Sequence, residues 1–221
     1  YGLSARGIAI DVAMPDRPEE FPTFTHFYFE PPAADRSDTV VVYALLEGPS
    51  ITGAYRFAMR RDKAVVMDID TRLFLRRDVG RLGIAPLTSM YWFSETTKPT
   101  AIDWRPEVHD SDGLELWTGA GERIWRPLNN PPVTSASAFA DLQPKGFGLM
   151  QRDRALDHYQ DAVHYERRPS LRVEPQGDRG PAAVYRLEIP THDETHDHVV
   201  ACLLLQPFAC AATLSSLSFR L

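Results

Sequence analysis

Residues 39–60 read TVVVYALLEGPSITGAYRFAMR, and they predict two β-strands joined by a tight turn. Residues 39–46 are β-branched and almost continuously apolar, which is typical of a strand covered on both faces. Residues 51–60 alternate between apolar and small or polar side chains, which predicts a strand with one buried face. Gly48 and Pro49 supply the turn between the two runs. A β-hairpin is therefore the first element that the sequence establishes.

Further short runs of the same kind extend this prediction along the chain. They lie at residues 7–12, 25–30, 64–70, 114–117, 183–189 and 198–205. The 18 prolines and 13 glycines exclude long helices, because proline breaks a helix and glycine weakens it. We expect helical turns only at residues 77–82 and 154–162. The pattern indicates an all-β fold, a β-sandwich with few short helical turns, in one large domain.

Charge and hydropathy exclude two classes of partner. The 24 Lys and Arg residues stand against 30 Asp and Glu, a net charge of −6, which leaves no basic excess for nucleic acid. The longest apolar run, residues 199–205, is about a third of the ~20 residues that a membrane span needs. We therefore expect a soluble protein without a membrane span. Cys202 and Cys210 leave two alternatives open, one disulfide or two buried thiols.

Residues 104–113 (WRPEVHDSDG) combine an aromatic ring, cationic groups and carboxylates directly before a turn. The candidates are Trp104, Arg105, His109, Asp110 and Asp112. Carboxylates accept hydrogen bonds from sugar hydroxyls or shuttle protons, and an aromatic ring packs on the C–H face of a pyranose. The segment therefore indicates a sugar site. The alternative is that its aspartates only build the turn.

Residues 191–198 (THDETHDH) contain three histidines and three acidic residues. Glu194 occupies the third position of residues 192–196 rather than the second, so the HExxH zinc motif is absent. Pro190 argues against the helix on which such ligands share a face. A metal site formed by His192, His196 and His198 is therefore the weakest of three interpretations. A solvated loop and the acid or base residues of an active site remain open. Because no nucleotide-binding motif occurs, we expect no cofactor.

Residues 151–169 (QRDRALDHYQDAVHYERRP) mix arginine, aspartate, histidine and tyrosine without apolar periodicity. One interpretation is a binding loop that presents Tyr159, Tyr165, Arg167 and Arg168 to hydroxyl groups. The other is a surface segment whose charges pair with one another.

The sequence resembles one known family in eight ordered segments. These are residues 1–11 (YGLSARGIAID), 83–90 (GIAPLTSM), 105–114 (RPEVHDSDGL), 125–131 (WRPLNNP), 145–154 (KGFGLMQRDR), 158–161 (HYQD), 165–175 (YERRPSLRVEP) and 188–197 (EIPTHDETHD). The family is that of the periplasmic glucan biosynthesis proteins, MdoG/OpgG and OpgD, which act on osmoregulated β-1,2-glucans. The segments do not distinguish the G branch from the D branch.

The resemblance implies a galactose-mutarotase-like sandwich in the periplasm, with inverting endo-β-1,2-glucanase activity and an extended proton relay. At the positions that match the family's motifs, the resemblance implies that Asp197 is the general acid and Asp110 the general base. Glu194, Thr195 and Tyr165 line the same cleft. With Trp104, Arg105, His109, Asp112 and Arg167, they form the expected substrate-binding set. A general acid needs a raised pKa, for which partial burial of Asp197 or the neighbouring Asp193 and Glu194 would be the cause.

The resemblance covers only the second part of the family's large sandwich, without its smaller immunoglobulin-like domain. We therefore expect residues 1–221 to form a single, incomplete glucan-binding or catalytic domain. The expected partner is a β-glucan polysaccharide, with a homodimer or the glucan-synthesis machinery as further partners. The alternative function is a non-catalytic glucan-binding or scaffold protein that assists glucan synthesis and export.

Overall fold

The computed structural model describes residues 2–31, 38–177, 180–205 and 213–221. Within these residues the chain forms seventeen β-strands and only three short helical turns, so the predicted all-β fold is confirmed. The strands are β1 (Leu3–Ala5), β2 (Ile8–Ile10), β3 (Thr23–Phe29), β4 (Val40–Glu47), β5 (Ile51–Arg61), β6 (Val65–Leu75), β7 (Leu82–Ser89), β8 (Tyr91–Phe93), β9 (Val108–His109), β10 (Gly113–Trp117), β11 (Arg123–Pro127), β12 (Ser135–Asp141), β13 (Gly146–Met150), β14 (Leu171–Pro175), β15 (Ala182–Glu188), β16 (Val199–Leu205) and β17 (Thr213–Arg220). The helical turns are Lys98–Thr100, α1 (Leu156–Tyr159) and Tyr165–Arg167.

Two antiparallel sheets form a sandwich. The six-stranded sheet has the order β1-β7-β16-β15-β12, with β2 also paired to β7, and the nine-stranded sheet has the order β11-β10-β13-β14-β17-β6-β5-β4-β3. Leu82 and Leu203 from the first sheet pack in one apolar cluster with Leu46, Leu73 and Phe147 from the second. Burying apolar side chains between two sheets is the main stabilising contribution in such a fold. Strands β8 and β9 form a separate pair beside the sandwich.

The β4–β5 hairpin lies where the sequence predicts it, but β4 is buried on one face only. Val42, Ala44 and Leu46 are buried, whereas Tyr43 and Leu45 between them are exposed. The expectation of a strand covered on both faces is therefore wrong. The β-branched composition of β4 instead reflects its place inside the sheet, between β3 and β5, where such side chains fit the pleated surface.

One of the two predicted helical segments forms. Residues 154–162 contain α1, but residues 77–82 contain no helix. Tertiary contacts determine the second segment, because the backbone N–H groups of Gly80 and Arg81 each donate to Asp11 Oδ1 at 2.7 Å. These bonds hold the chain extended as it enters β7.

Cys202 lies buried in β16 and forms no disulfide with any described residue. Burial raises the pKa of its thiol to about 12, which makes it an unreactive core residue. The second cysteine, Cys210, lies outside the described residues, so the alternatives of a disulfide and two buried thiols both stay predictions. Across the described part of the chain, each helical turn is too short to cross a membrane.

The shared core yields a first prediction. Leu82 is fully buried between the sheets, whereas Leu142 is 80% exposed. Leu82→Ala should lower the free energy of unfolding by about 2–5 kcal/mol, because it leaves a cavity that the two sheets cannot close. Leu142→Ala should change it by no more than about 0.5 kcal/mol. Urea denaturation of both variants measures the difference, and equal losses would contradict this assignment of the core.

Candidate functional site

The end of β7 brings together the two loops that carry the predicted catalytic aspartates. Asp197 Oδ2 accepts a hydrogen bond from Thr88 Oγ1 at 2.8 Å. The backbone N–H of Asp110 donates to the carbonyl of Met90 at 2.9 Å. Strand β7 is buried along its whole length, and the groups that hold the two loops lie at its end. We call Asp110, Asp197 and the polar side chains around them the acidic site.

Asp110 is a buried carboxylate paired with an arginine. Its Oδ1 lies 2.6 Å from Arg168 Nε, and the side chain is 10% exposed. Burial raises the pKa of Asp110, the neighbouring Arg168 opposes that rise, and the charge of Asp197 adds to it. The two aspartates therefore lie close enough for the charge of Asp197 to affect the ionisation of Asp110.

Asp197 is exposed, so the partial burial expected of it is wrong. The chain turns its neighbour His198 into the core instead, where His198 Nε2 accepts from the backbone N–H of Tyr91 at 3.2 Å. Asp193 does not pair with Asp197 through a hydrogen bond. Its Oδ1 accepts from the backbone N–H and the hydroxyl of Thr195, at 2.9 and 2.6 Å. Thr195 is therefore an exposed residue held within its own loop.

Arg105 is the buried centre of a cluster of three carboxylates. Its Nη1 donates to Glu194 Oε2 at 2.6 Å and to Asp161 Oδ2 at 3.0 Å, and its Nη2 donates to Asp103 Oδ2 at 2.8 Å. The pKa of Asp103 falls to about 2 because Arg105 hydrogen-bonds its carboxylate. Tyr165 also donates its hydroxyl to Glu194 Oε2, at 2.8 Å. Arg105 and Tyr165 thus fix Glu194 at the acidic site.

His109 lies behind the acidic site and is fully buried. Its Nε2 is 2.8 Å from Glu107 Oε2, and its Nδ1 is 2.9 Å from Gln151 Oε1. The Gln151 amide also donates to the hydroxyl of Tyr159 at 2.9 Å. Both imidazole nitrogens therefore have hydrogen-bond partners, and His109 stabilises the loop that carries Asp110 from its buried side.

Asp112 does not build the local turn that the simpler interpretation of its segment predicts; its carboxylate binds a distant segment instead. Its Oδ2 accepts from the backbone N–H groups of Arg152 and Asp153, at 3.0 and 3.2 Å. Burial raises the pKa of Asp112. Within one short motif, Asp110 therefore faces the acidic site while Asp112 ties β10 to the segment that follows β13.

Trp104 and Arg167 lie at the surface. Trp104 is 70% exposed and presents its indole ring to solvent. Arg167 has a largely exposed side chain, with Nε 3.3 Å from Glu166 Oε1. Tyr159, which the sequence offered as a binding group, is fully buried.

Sequence reasoning missed Thr88 and Asp161. Thr88 lies in a buried strand and holds Asp197, and Asp161 holds Arg105. A hydroxyl at the end of an otherwise apolar strand is the signal that could have found Thr88, because a buried polar group needs a partner. No comparable signal marks Asp161, which stands in a segment full of charges.

The three histidines of residues 191–198 do not form a metal site. His192 and His196 are exposed, and His198 is buried against the backbone of Tyr91. Within the ranges that the structure describes, the acidic and histidine groups close enough to share a metal ion are Glu107, Asp153 and His158. Asp153 Oδ2 lies 2.5 Å from His158 Nδ1, as in an ordinary ion pair.

Two prominent cavities lie away from the predicted site residues. One of about 510 Å³ is lined by β12, β15 and β16 together with Gly80 and Arg81. The other, about 400 Å³, is apolar and is lined chiefly by β3, β5 and β6. We place the candidate site by its chemistry rather than by volume, because ionisable groups with shifted pKa values and specific partners are typical of functional sites.

The fold and the site define an all-β sandwich protein with an acidic site at the end of a central strand. The whole chain, residues 1–221, matches the family model described as "Periplasmic glucan biosynthesis protein, MdoG". The chain belongs to this family.

Curated relatives agree with that membership. The chain is 63% identical, over all 221 of its residues, to glucans biosynthesis protein D 2 of Ralstonia nicotianae. It is 58% identical over 202 residues, 91% of the chain, to glucans biosynthesis protein D of Stenotrophomonas maltophilia. It is 56% identical over the same length to the protein of that name from Xanthomonas campestris pv. campestris. The chain spans only 41% of the first relative and 38% of the other two.

Proposed function

We propose that this chain acts on a β-1,2-glucan in the periplasm as an inverting endo-β-1,2-glucanase that trims or remodels the glucan backbone. The observation that carries this proposal is the meeting of two chemically different carboxylates at the end of β7. Asp110 is buried beside Arg168, and Asp197 is exposed. The family description and the names of the relatives support a role in periplasmic glucan biosynthesis.

Inversion needs one carboxylic acid and one carboxylate. In the proposed step Asp197 donates its proton to the glycosidic oxygen, whose bond to the anomeric carbon breaks. Water attacks that carbon from the opposite face, and its proton passes through hydroxyls or water to ionised Asp110. One bond is hydrolysed and two shorter glucans result. Exposure of Asp197 allows a polysaccharide to reach it.

The remaining predicted residues take two kinds of role in this proposal. Trp104, Thr195 and Arg167 are exposed and available to a sugar. Glu194 and Tyr165 are fixed by mutual hydrogen bonding and offer oxygen atoms at the acidic site. Three further residues would position their hydrogen-bond partners rather than contact the sugar themselves: Arg105, His109 and Asp112.

A second candidate is a non-catalytic glucan-binding protein that assists synthesis and export, as a homodimer or with the synthesis machinery. The observation that favours it is that the relatives are named for glucan biosynthesis rather than hydrolysis. The same exposed and acidic residues would then only bind the polymer.

Cleavage of linear β-1,2-glucan separates the two candidates. We expect the full-length gene product to release reducing ends, with the inverted anomer first in ¹H NMR spectra. Asp110→Asn should lower the rate by at least about 100-fold, because the amide accepts no proton from water. The exposed Asp157→Asn should retain the rate.

Circular dichroism spectra establish that each variant is folded. Binding without cleavage by the wild-type protein would favour the second candidate. Absence of both would overturn the proposed function.

A further inference from the structure

Arg168 and Asp110 form an enclosed ion pair. Arg168 Nε lies 2.6 Å from Asp110 Oδ1, and the two side chains are 17% and 10% exposed. Both the charge of Arg168 and this close side-chain contact lower the pKa of Asp110. Arg168 is in turn held over the ring of Tyr165, with its guanidinium carbon 5.1 Å from the ring centroid. Cation–π packing of this kind fixes the direction of the guanidinium group.

Gly2 closes this pair from the side of β1. Its φ is +93°, and a Cβ at this position would lie 2.5 Å from Asp110 Oδ1 and 2.8 Å from Arg168 Cδ. The Gly2 carbonyl accepts from Ser89 Oγ at 3.0 Å, which anchors it to the end of β7. Only glycine combines this backbone conformation with so close an approach.

We propose that Arg168 is a positioning residue that holds Asp110 as the ionised proton acceptor of the acidic site, and that Gly2 is the position that allows this pair to form. The proposal rests on the proposed function, in which Asp110 receives the proton of the attacking water. Burial favours the protonated form of such a carboxylate, and an adjacent guanidinium opposes that effect. A base that is partly desolvated yet kept ionised near neutral pH is a more effective catalyst than a solvated aspartate.

The charges around Asp110 fix the direction of the expected pH effect. Arg168 and His109 favour the ionised carboxylate, whereas Asp197 disfavours it. Tyr165 faces it as a neutral phenol, since burial raises the pKa of that hydroxyl. Without Arg168, Asp110 should therefore bind its proton at a higher pH. Activity that needs ionised Asp110 would then be lost earlier as the pH falls.

The test compares Arg168→Gln with Arg168→Lys. In the wild type and both variants, the pH dependence of linear β-1,2-glucan cleavage is measured, and Asp110 is titrated by carboxyl ¹³C NMR with Asp110→Asn for assignment. Arg168→Gln should move the acidic limb and the NMR midpoint upward by about 1–3 pH units. Arg168→Lys should leave the acidic limb and the NMR midpoint close to their wild-type values, because it retains the charge.

An unmoved acidic limb and NMR midpoint, with activity reduced equally at every pH, would overturn the proposal and leave Arg168 a merely structural role. If Arg168→Gln does not fold, Gly2→Ala replaces it and should shift both readouts in the same direction by displacing the pair. If the wild-type protein cleaves no glucan, the proposed function fails. The NMR titration still decides whether Arg168 keeps Asp110 ionised.

Discussion

Asp197→Asn should lower the turnover of linear β-1,2-glucan by about 10²–10⁴-fold, since the amide has no proton to donate to the leaving oxygen. The substitution preserves shape, and the amide oxygen can still accept the hydrogen bond that Thr88 donates to Asp197 Oδ2. We therefore expect folding and glucan affinity to change little. Reducing-end assays give kcat, and calorimetry gives the dissociation constant of the glucan.

His192→Asn is the matched control, because His192 lies exposed in the same loop and is outside the proposed mechanism. It should leave kcat unchanged. Turnover by Asp197→Asn within about threefold of the wild type would remove Asp197 from the role of general acid, because general acid catalysis contributes at least about 10²-fold.

Arg105→Met should cost about 3–5 kcal/mol of the free energy of unfolding, since removing one partner of a buried ionic cluster leaves the others uncompensated. The side chains of Asp103 and Asp161 are only 12% and 8% exposed, and both depend on this guanidinium. Glu194 also loses its contact with Arg105, so glucan cleavage should fall as well. Urea denaturation at neutral pH measures the loss of stability.

Arg56→Met is the control, because Arg56 forms a solvent-exposed ion pair with Asp70 at 3.6 Å. Exposed pairs contribute about 0–1 kcal/mol. The pH dependence gives a second readout. The depressed pKa of Asp103, about 2, stabilises the fold above about pH 4 and loses that contribution as the pH falls toward 2. Arg105→Met should lack this part of the acid transition. Equal losses of stability in the two variants would contradict the role of Arg105 as the buried centre of the carboxylate cluster.

The fold could be predicted from the sequence where one face of a strand is buried, but not where both faces are. Alternation in residues 51–60 identifies β5, whereas β7 is buried throughout and has no alternation to detect. Pro86 also makes β7 look like a loop, since proline is normally confined to edges and bulges. The structure resolves this with a bulge, in which Ala85 and Pro86 lie opposite the single residue between Ala201 and Leu203 of β16.

The candidate site could be predicted only as separate pieces. Charge and aromatic content marked residues 104–113 and 191–198, and the structure brings Asp110 and Asp197 from these segments to one strand end. The sequence of these segments does not show which strand brings them together, because pairing between distant β-strands leaves no periodic pattern in either segment. For the same reason, it could not show that Arg105 would be buried among carboxylates rather than available to a sugar.

The connections of the acidic site also bear on how the chain folds. The Thr88–Asp197 bond joins residues 109 positions apart, and the Arg105–Glu194 bond joins residues 89 apart. Contacts between distant segments carry a large loop-closure entropy and slow the search for the native topology. The site therefore does not exist in any collapsed intermediate that lacks the β7–β16 ladder. A molecule in which the acidic site has formed has already paired these two distant strands.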